Sequence, residues 1–405
     1  MALIVQKYGG TSVADPDRMR AVAENVAFTR RHGHDVVVVP SAMGKTTDNL
    51  IKLANDVSAT QPGREMDMLI TTGERISMSL LCMALADLGV EAVSFTGSQA
   101  GIITDAVHMK AKILEVKGDR IREGLAAGKV CVVAGFQGIS TAKEITSLGR
   151  GGSDTTAVAL AAALHADSCE IYTDVTGVFS ADPRLVPQAR KLAHVNFDEM
   201  LEMAGSGSKV LALRSVEFAR NHNVPVHVRS AFTWEPGTWV TDQEPSMEEP
   251  IISGVVTDTT ESKVTVLSVP DRPGISAALF EPLAAANVNV DMIVQNVSAD
   301  GSTTDLTFTV PSSDYERANV VLKKSKDAIG YSYLDGSTDV AKVSVIGIGM
   351  RSHAGVAAQA FKALAEQQIN IRAITTSEIK FSLLIDAART DAAVRTLHSL
   401  YGLDT

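Results

Sequence analysis

Cysteine is scarce in this chain: 405 residues hold three, Cys82, Cys131 and Cys169, odd in number and without a CxxC pair. A disulfide framework and the common zinc spacings are thereby excluded, and the thiols are expected to be small buried hydrophobes. The nine histidines show no HExxH and no short cluster, so no protein metal cage is expected. Basic charge is also in deficit. With 37 Lys and Arg against 47 Asp and Glu, the formal net charge of −10 argues against nucleic acid or an anionic membrane as partner. No strongly apolar run approaches the roughly 20 residues that cross a bilayer, and the N-terminus enters a β-pattern without a basic leader. A cytoplasmic protein of small ligands is expected, with two or three domains for this length.

What is present is alternation. Short β-rich runs at Ala2–Gln6, Asp35–Val39, Val90–Phe95, Val130–Ala134, Glu170–Thr173 and Val224–Val228 are separated by segments long enough for crossover helices. The fold class expected is α/β with a mainly parallel sheet. Several runs end in small or turn-forming residues: KYGG, PSAMG, TGSQAG, GFQG, TDVTG. Ligands of open α/β sheets collect at the carboxyl ends of strands, so these loops should meet at one cleft. The proline-rich, acidic stretch from Glu235 to Pro250 reads as a domain junction. Beyond it lies an internal repeat: Lys263–Val269 matches Lys342–Ile348, Ile275–Ala286 matches Gly355–Gln367, and Asn287–Val290 matches Gln368–Ile371. Each copy continues with a strand, such as Leu306–Val310 or Phe381–Ile385, and a closing helix, giving two β-α-β-β-α units that can pair.

Two loops carry phosphate-binding chemistry. Lys7-Tyr8-Gly9-Gly10 closes the first β-run, placing an ammonium beside backbone that can approach phosphate closely. Arg150-Gly151-Gly152-Ser153-Asp154 opens an apolar helical stretch, where unpaired N–H groups and the positive dipole end receive an anion. Together they point to ATP. Arg150 offers a planar fork for a carboxylate; Asp154 is either a helix cap or the group that holds Lys7. Glu74 opens another helical pattern and can receive an ammonium, or be an ordinary first-turn glutamate. Gly44-Lys45-Thr46 looks like the end of a Walker A loop, but Val39 stands where that motif needs glycine. Lys45, Thr46 and Thr47 remain possible donors to a substrate.

Taken together, KYGGTSV at Lys7–Val13, TTGERIS at Thr71–Ser77 and GRGGSDTTA at Gly149–Ala157 closely resemble bacterial aspartate kinase, and the repeat resembles the tandem ACT domains of that family. The resemblance implies an amino acid kinase fold, an αβα sandwich over residues 1–246, then a regulatory region at 247–405 with ACT repeats near 263–335 and 342–405, the strand near 251–257 joining the second. It implies transfer of the γ-phosphate of ATP to the β-carboxylate of L-aspartate. Lys7, Tyr8, Gly9, Gly10 and Ser41 would then contact the nucleotide, with Thr173, Asp174, Phe179, Asp182, Arg184 and Lys209 as a further nucleotide-binding segment. Asp154 would position Lys7. Lys45, Thr46, Thr47, Glu74, Arg150, Gly151, Gly152 and Ser153 would line the aspartate site, Arg150 taking the α-carboxylate and Glu74 the α-ammonium. Mg2+ would arrive with the phosphates. Gly274, Asp291, Gln295, Asn370, Ile371, Ser377 and Glu378 would clasp lysine or threonine as feedback effectors between paired modules, in a homo-oligomer formed through the ACT domains. A shorter regulatory chain starting at Met247 is a further implied partner. Two other readings stand beside this one: a kinase of acetylglutamate or glutamate, and a non-catalytic amino-acid sensor.

Overall fold

The structure is a computed structural model and describes residues 1–242, 251–299 and 301–404. They fall into two compact units whose division is not linear. Residues 1–178, 191–204 and 209–242 form the first, while 179–190 and 205–208 fold with the residues from 251 onward.

The first unit is built on an eight-stranded sheet. From one edge to the other its strands are His194–Val195, Thr238–Val240, Val226–Ser230, Ser168–Thr173, Leu3–Tyr8, Asp35–Pro40, Val130–Val133 and Ala92–Phe95. Every pairing is parallel except Thr238–Val240 against Val226–Ser230. The runs Asp35–Pro40 and Val130–Val133 are almost wholly Val and Cys because both faces are covered. Part of the expected junction is therefore sheet, since Thr238–Val240 pairs on both sides. Residues 243–250, including Met247, lie outside the described residues.

Two helices cover one face of the sheet: Pro16–Arg31, capped by the Asp15 side chain at Arg18, and Thr72–Asp87. Met19, Val22, Val26, Met78, Leu81 and Leu85 lock them to Val36, Val38 and Val132. The helices Gly152–Leu164 and Leu213–Asn221 lie on the other face. A four-stranded sheet of Ile113–Val116, Ile102–Thr104, Gln137–Ser140 and Ile145–Ser147 is inserted between these elements; the short runs that form it carry no clear period in the sequence.

One expectation is corrected here. The stretch Gly63–Asp87, 25 residues with a best-window mean hydropathy of 1.3, is long and apolar enough to cross a bilayer by length and composition alone. It consists of two helices, Gly63–Ile70 and Thr72–Asp87, which bury Ile70, Leu81 and Leu85 together with Asp67 and Glu74. The apolar content that raises its hydropathy is that of a core helix in a folded unit.

The second unit holds two four-stranded sheets, each with a pair of helices. Glu261–Pro270 lies between Thr303–Pro311 and Tyr333–Ser337, and Asp291–Val297 forms the edge beyond Thr303–Pro311. In the other sheet Val340–Ile346 pairs with Lys380–Asp386, and Ile371–Thr376 forms the edge. Its outermost strand is Gly254–Asp258, which precedes the first repeat in the chain and completes the second. Residues 179–190 join this second core through Ala181 and Val186. The two repeats meet at Met292, Val340 and Leu384 and at the buried Lys342 ammonium, 2.6 Å from Asp291 and 3.8 Å from Glu261.

Candidate active site

The Leu3–Tyr8 strand alternates its side chains, so Lys7 and Tyr8 leave on opposite faces. Lys7 emerges toward the helix Gly152–Leu164, where its Nζ lies 2.6 Å from Asp154 Oδ1 with both side chains largely buried. Tyr8 goes the other way. It is fully buried, stacked on Tyr172 with centroids 4.6 Å apart, and its hydroxyl accepts a bond from Asn25. Burial raises the Tyr8 phenol well above its ordinary range, followed by the nearby Tyr172 and Glu170. The Tyr8 backbone, whose carbonyl accepts from Ser41 N, is the part of this residue that lies at the loop.

Strand-end loops are tied together by main-chain bonds: Gly9 N to Tyr172 O at 3.2 Å, Ser41 N to Tyr8 O at 2.9 Å and Gly44 N to Gly10 O at 2.9 Å. A Cβ at Gly10 would lie 2.9 Å from Ala42 O, and glycine is what allows that approach. The helix Gly152–Leu164 begins at Gly151, whose φ of +75° is left-handed and whose added Cβ would fall 2.4 Å from that of Ala212. No side chain caps this end. Gly152 N donates to Gly149 O at 2.9 Å, which leaves the N–H groups of Ser153 and Asp154 for a ligand, beside an ammonium held by an acid of the same helix turn.

Glu74 occupies the first turn of Thr72–Asp87 and is 3% exposed. Its Oε1 accepts from Ala42 N at 3.3 Å, while Oε2 is buried with no partner. Desolvation raises its carboxyl from 4.5 to about 7, opposed by the backbone bonds. A buried carboxylate oxygen without a donor is costly, and it fits a ligand that brings its own cation. Ala42 links this group to the glycine loop. At Gly73 a Cβ would be 2.7 Å from Ala42 Cβ, and Thr46 Cγ2 packs at the same place.

The remaining expected residues divide. Ser153 is buried against Gly135, and Ser41, Thr46 and Thr47 are half-buried at the end of Asp35–Pro40 and in the helix that follows. Arg150 is exposed and makes no ion pair with the described residues; Lys45 and Lys209 are exposed, Lys209 three positions before the Ala212 that packs on Gly151. Thr173 and Asp174 close the Ser168–Thr173 strand, joined by a bond of 3.1 Å. Phe179, Asp182 and Arg184 belong instead to the second unit, where Asp182 and Arg184 pair at 2.7 Å. Within the GFQG and KYGGTSV loops three residues had no individual role assigned: Gly135, Phe136 at φ +68° with its N–H on Thr156 Oγ1, and Ser12, whose buried hydroxyl has no partner. Among the described residues no group of three or more His, Cys, Asp or Glu is placed to hold a metal.

In the second unit Gly274 and Gln295 share a concavity of about 520 Å3 with Asp271, Arg272, Pro273, Ile275, Ser276 and Ala277. Asp291 is engaged by Lys342; against the effect of burial, that ammonium holds its carboxyl below the usual range. Asn370, Ile371, Ser377 and Glu378 lie in the other repeat and do not line this concavity; Glu378 pairs with Arg351 at 3.0 Å.

A buried lysine, an open helix N-terminus and a carboxylate lacking its counter-ion, gathered at the carboxyl ends of a parallel sheet, define a phosphotransferase-type α/β protein. Residues 2–230 match the amino acid kinase family, and 264–325 with 343–401 match the ACT domain. An aspartokinase of Pseudomonas aeruginosa is 54% identical over 406 residues, covering 100% of this chain and 98% of that protein. The structure of E. coli aspartokinase III with aspartate and ADP in the R-state aligns with a TM-score of 0.83 at 25% identity, over 98% of this chain and 99% of that one. Its complex with lysine and aspartate in the T-state gives 0.76 at 26% identity over the same shares. The chain belongs to the amino acid kinase family, in its aspartokinase branch with C-terminal ACT domains.

Proposed function

We propose that this chain transfers the γ-phosphoryl group of ATP to the β-carboxylate of L-aspartate, forming 4-phospho-L-aspartate and ADP. A carboxylate oxygen forms the new bond to γ-phosphorus as the bond to the ADP oxygen breaks. With an unperturbed pKa of about 3.9 the attacking carboxylate is already ionised at neutral pH, so no general base is required. Positioning and charge neutralisation are the remaining tasks.

Lys7 serves the second task. At ~4 Å and an effective dielectric near 20 its attraction for a phosphoryl charge is on the order of 4 kcal/mol. Asp154 orients the ammonium, and the N–H groups of Ser153 and Asp154 add donors at the helix end. Arg150 takes the α-carboxylate of aspartate as a fork, and the unpaired Glu74 oxygen takes the α-ammonium. Lys45, Thr46 and Thr47 supply further donors. Mg2+ enters on the nucleotide and screens the phosphate oxygens when bound, its other ligands being water.

The observation that carries this reading is the Lys7–Asp154 pair, which joins the first glycine loop to the second. ATP consumption with L-aspartate, run against L-glutamate and N-acetylglutamate, tests it. Turnover confined to aspartate is expected, a preference for either other acid would move the chain to another branch, and no turnover at all would leave an amino-acid sensor.

By the same reading the enzyme works in the cytoplasm at the head of lysine, threonine and methionine synthesis. The three free thiols favour a reducing compartment. Lysine and threonine act on the ACT domains, and the concavity at Gly274 and Gln295 supports an amino-acid effector there. Asn370, Ile371, Ser377 and Glu378, in the other repeat, would then meet it between paired ACT modules of the homo-oligomer. Heats of binding measured with each amino acid alone and with both together test the sensing role.

A further inference from the structure

We infer that Asp67 is a positioning residue that fixes the separation of the Glu74 and Arg150 elements and so selects the length of the acidic amino acid that bridges them. It rests on the substrate assignment above. Asp67 is completely buried on the helix Gly63–Ile70, one turn before the helix that carries Glu74. Its backbone carbonyl accepts from Thr71 N at 3.2 Å and from Thr71 Oγ1 at 2.7 Å, and Gln137 Nε2 donates to Thr71 O at 2.9 Å. The entry to the Glu74 helix is thereby held from both sides.

The Asp67 carboxylate reaches away from that helix. Oδ1 accepts from Ser147 Oγ at 2.5 Å and from Met109 N at 3.2 Å, and Oδ2 lies 2.7 Å from His108 Nδ1. Ser147 ends the strand Ile145–Ser147, and Arg150 follows three residues later. Met109 carries the packing further. Its carbonyl would be 3.0 Å from a Cβ at Gly149, where the chain turns through φ +77° into Arg150. Arg214 closes the brace by donating to Leu148 O at 3.0 Å and to Ala111 O at 2.9 Å.

A fully buried carboxylate whose donors are a hydroxyl, an amide and an imidazole, with no Lys or Arg on it, is an expensive way to hold two segments. Its value lies in geometry: three donors fix it in both position and angle. None of these groups is among those assigned above to substrate or nucleotide. They set the distance between the two clamps, one for the ammonium and one for the α-carboxylate, and that distance decides where the side-chain carboxylate lands relative to phosphorus. Relaxing the brace should cost aspartate its alignment and make room for one more methylene.

The test uses the full chain with Asp67→Asn, Ser147→Ala and Ser147→Thr, assayed for ATP consumption with L-aspartate and with L-glutamate. Asp67→Asn and Ser147→Ala are expected to lower kcat/KM for aspartate by ~10- to 100-fold, chiefly through its KM, as for an angstrom-scale misplacement. The KM for ATP should stay unchanged and the glutamate-to-aspartate ratio should rise. Ser147→Thr keeps the hydroxyl and should retain the parent ratio. If Asp67→Asn fails to fold, the Ala and Thr variants at position 147 carry the comparison. An unchanged substrate ratio in Ser147→Ala, or equal losses toward ATP and aspartate, would overturn the inference while leaving the kinase assignment intact. An inactive parent chain would remove both.

Discussion

Glu74→Gln should make the unliganded enzyme more stable and a poorer aspartate kinase at the same time. The parent carboxyl is 3% exposed, keeps one oxygen unpartnered and is raised by desolvation from 4.5 to about 7. Folding therefore increases proton binding between pH 4.5 and 7. Stability contributed by the protonated form is fully present below about 4.5 and is lost as pH rises through about 7. The shift corresponds to about 3 kcal/mol once the group is ionised, an upper bound because water and backbone relax around the charge. Glutamine keeps the acceptor for Ala42 N and cannot ionise. Its melting temperature should exceed that of the parent by several degrees at pH 8, and the difference should vanish near pH 5.

Binding should run the opposite way. About one-tenth of Glu74 is ionised at pH 6 and about nine-tenths at pH 8, while the ammonium of free aspartate stays protonated throughout. If the ionised form is the binder, the dissociation constant of aspartate in the parent rises about tenfold from pH 8 to pH 6, equal to about 1.4 kcal/mol. Calorimetry at pH 7 in two buffers of different ionisation enthalpy should show proton release on binding, because the incoming ammonium pulls the carboxyl pKa down. Glu74→Gln should show weak binding, no proton release and no pH slope in this range. A glutamine variant that melts below the parent at pH 8, or that binds aspartate like the parent, would refute the argument.

Lys7→Ala should lower kcat by ~100- to 1000-fold, as for a deleted transition-state donor, in a protein that still folds; near-parent turnover would contradict the role. Gly151→Ala forces a left-handed residue to carry a Cβ 2.4 Å from Ala212, so it should cost more than the ~1 kcal/mol of backbone strain and lower affinity for aspartate. A melting curve that overlays the parent would count against that packing. Lys342→Met should leave Asp291 and Glu261 without their shared cation and destabilise the second unit by about 3 kcal/mol at neutral pH, less in acid, read by its thermal transition.

The parallel sheet was legible because β-branched runs such as Asp35–Pro40 and Val130–Val133 are buried on both faces and read as continuous apolar text. The repeat was legible because two copies of one pattern need no outside reference. Strand ends were less so. The Leu3–Tyr8 strand runs two residues past its apolar stretch, since Lys7 and Tyr8 continue the ladder to Val39 and Pro40 while their side chains serve different layers. The inserted four-stranded sheet left no period to read: Ile102–Thr104 and Ile145–Ser147 have three residues each. Asp67 was invisible for the same reason. Its partners His108 and Met109 lie on a connection and Ser147 ends a three-residue strand of that sheet, and long-range hydrogen bonds leave no local pattern. The strand Gly254–Asp258 is in the sheet of the second repeat, although it precedes the first in the chain.

Three buried acids in the first unit illustrate how burial and partner together define a role. Asp154 faces a permanent cation, Lys7, at 2.6 Å, so its charge is already balanced and its task is to aim that cation. Asp67 is satisfied by an imidazole and an amide from His108-Met109 and by the Ser147 hydroxyl, so its task is to hold these two segments in register. Glu74 has one backbone donor and an oxygen facing nothing, so its missing partner has to come from outside the chain. Desolvation raises the Glu74 carboxyl to about 7, and Glu74 is the acid left without a full set of partners. Under the proposed function the cost of that incompleteness is recovered when the aspartate ammonium arrives, and the unstable acid of the trio is the one assigned to recognise the amino acid.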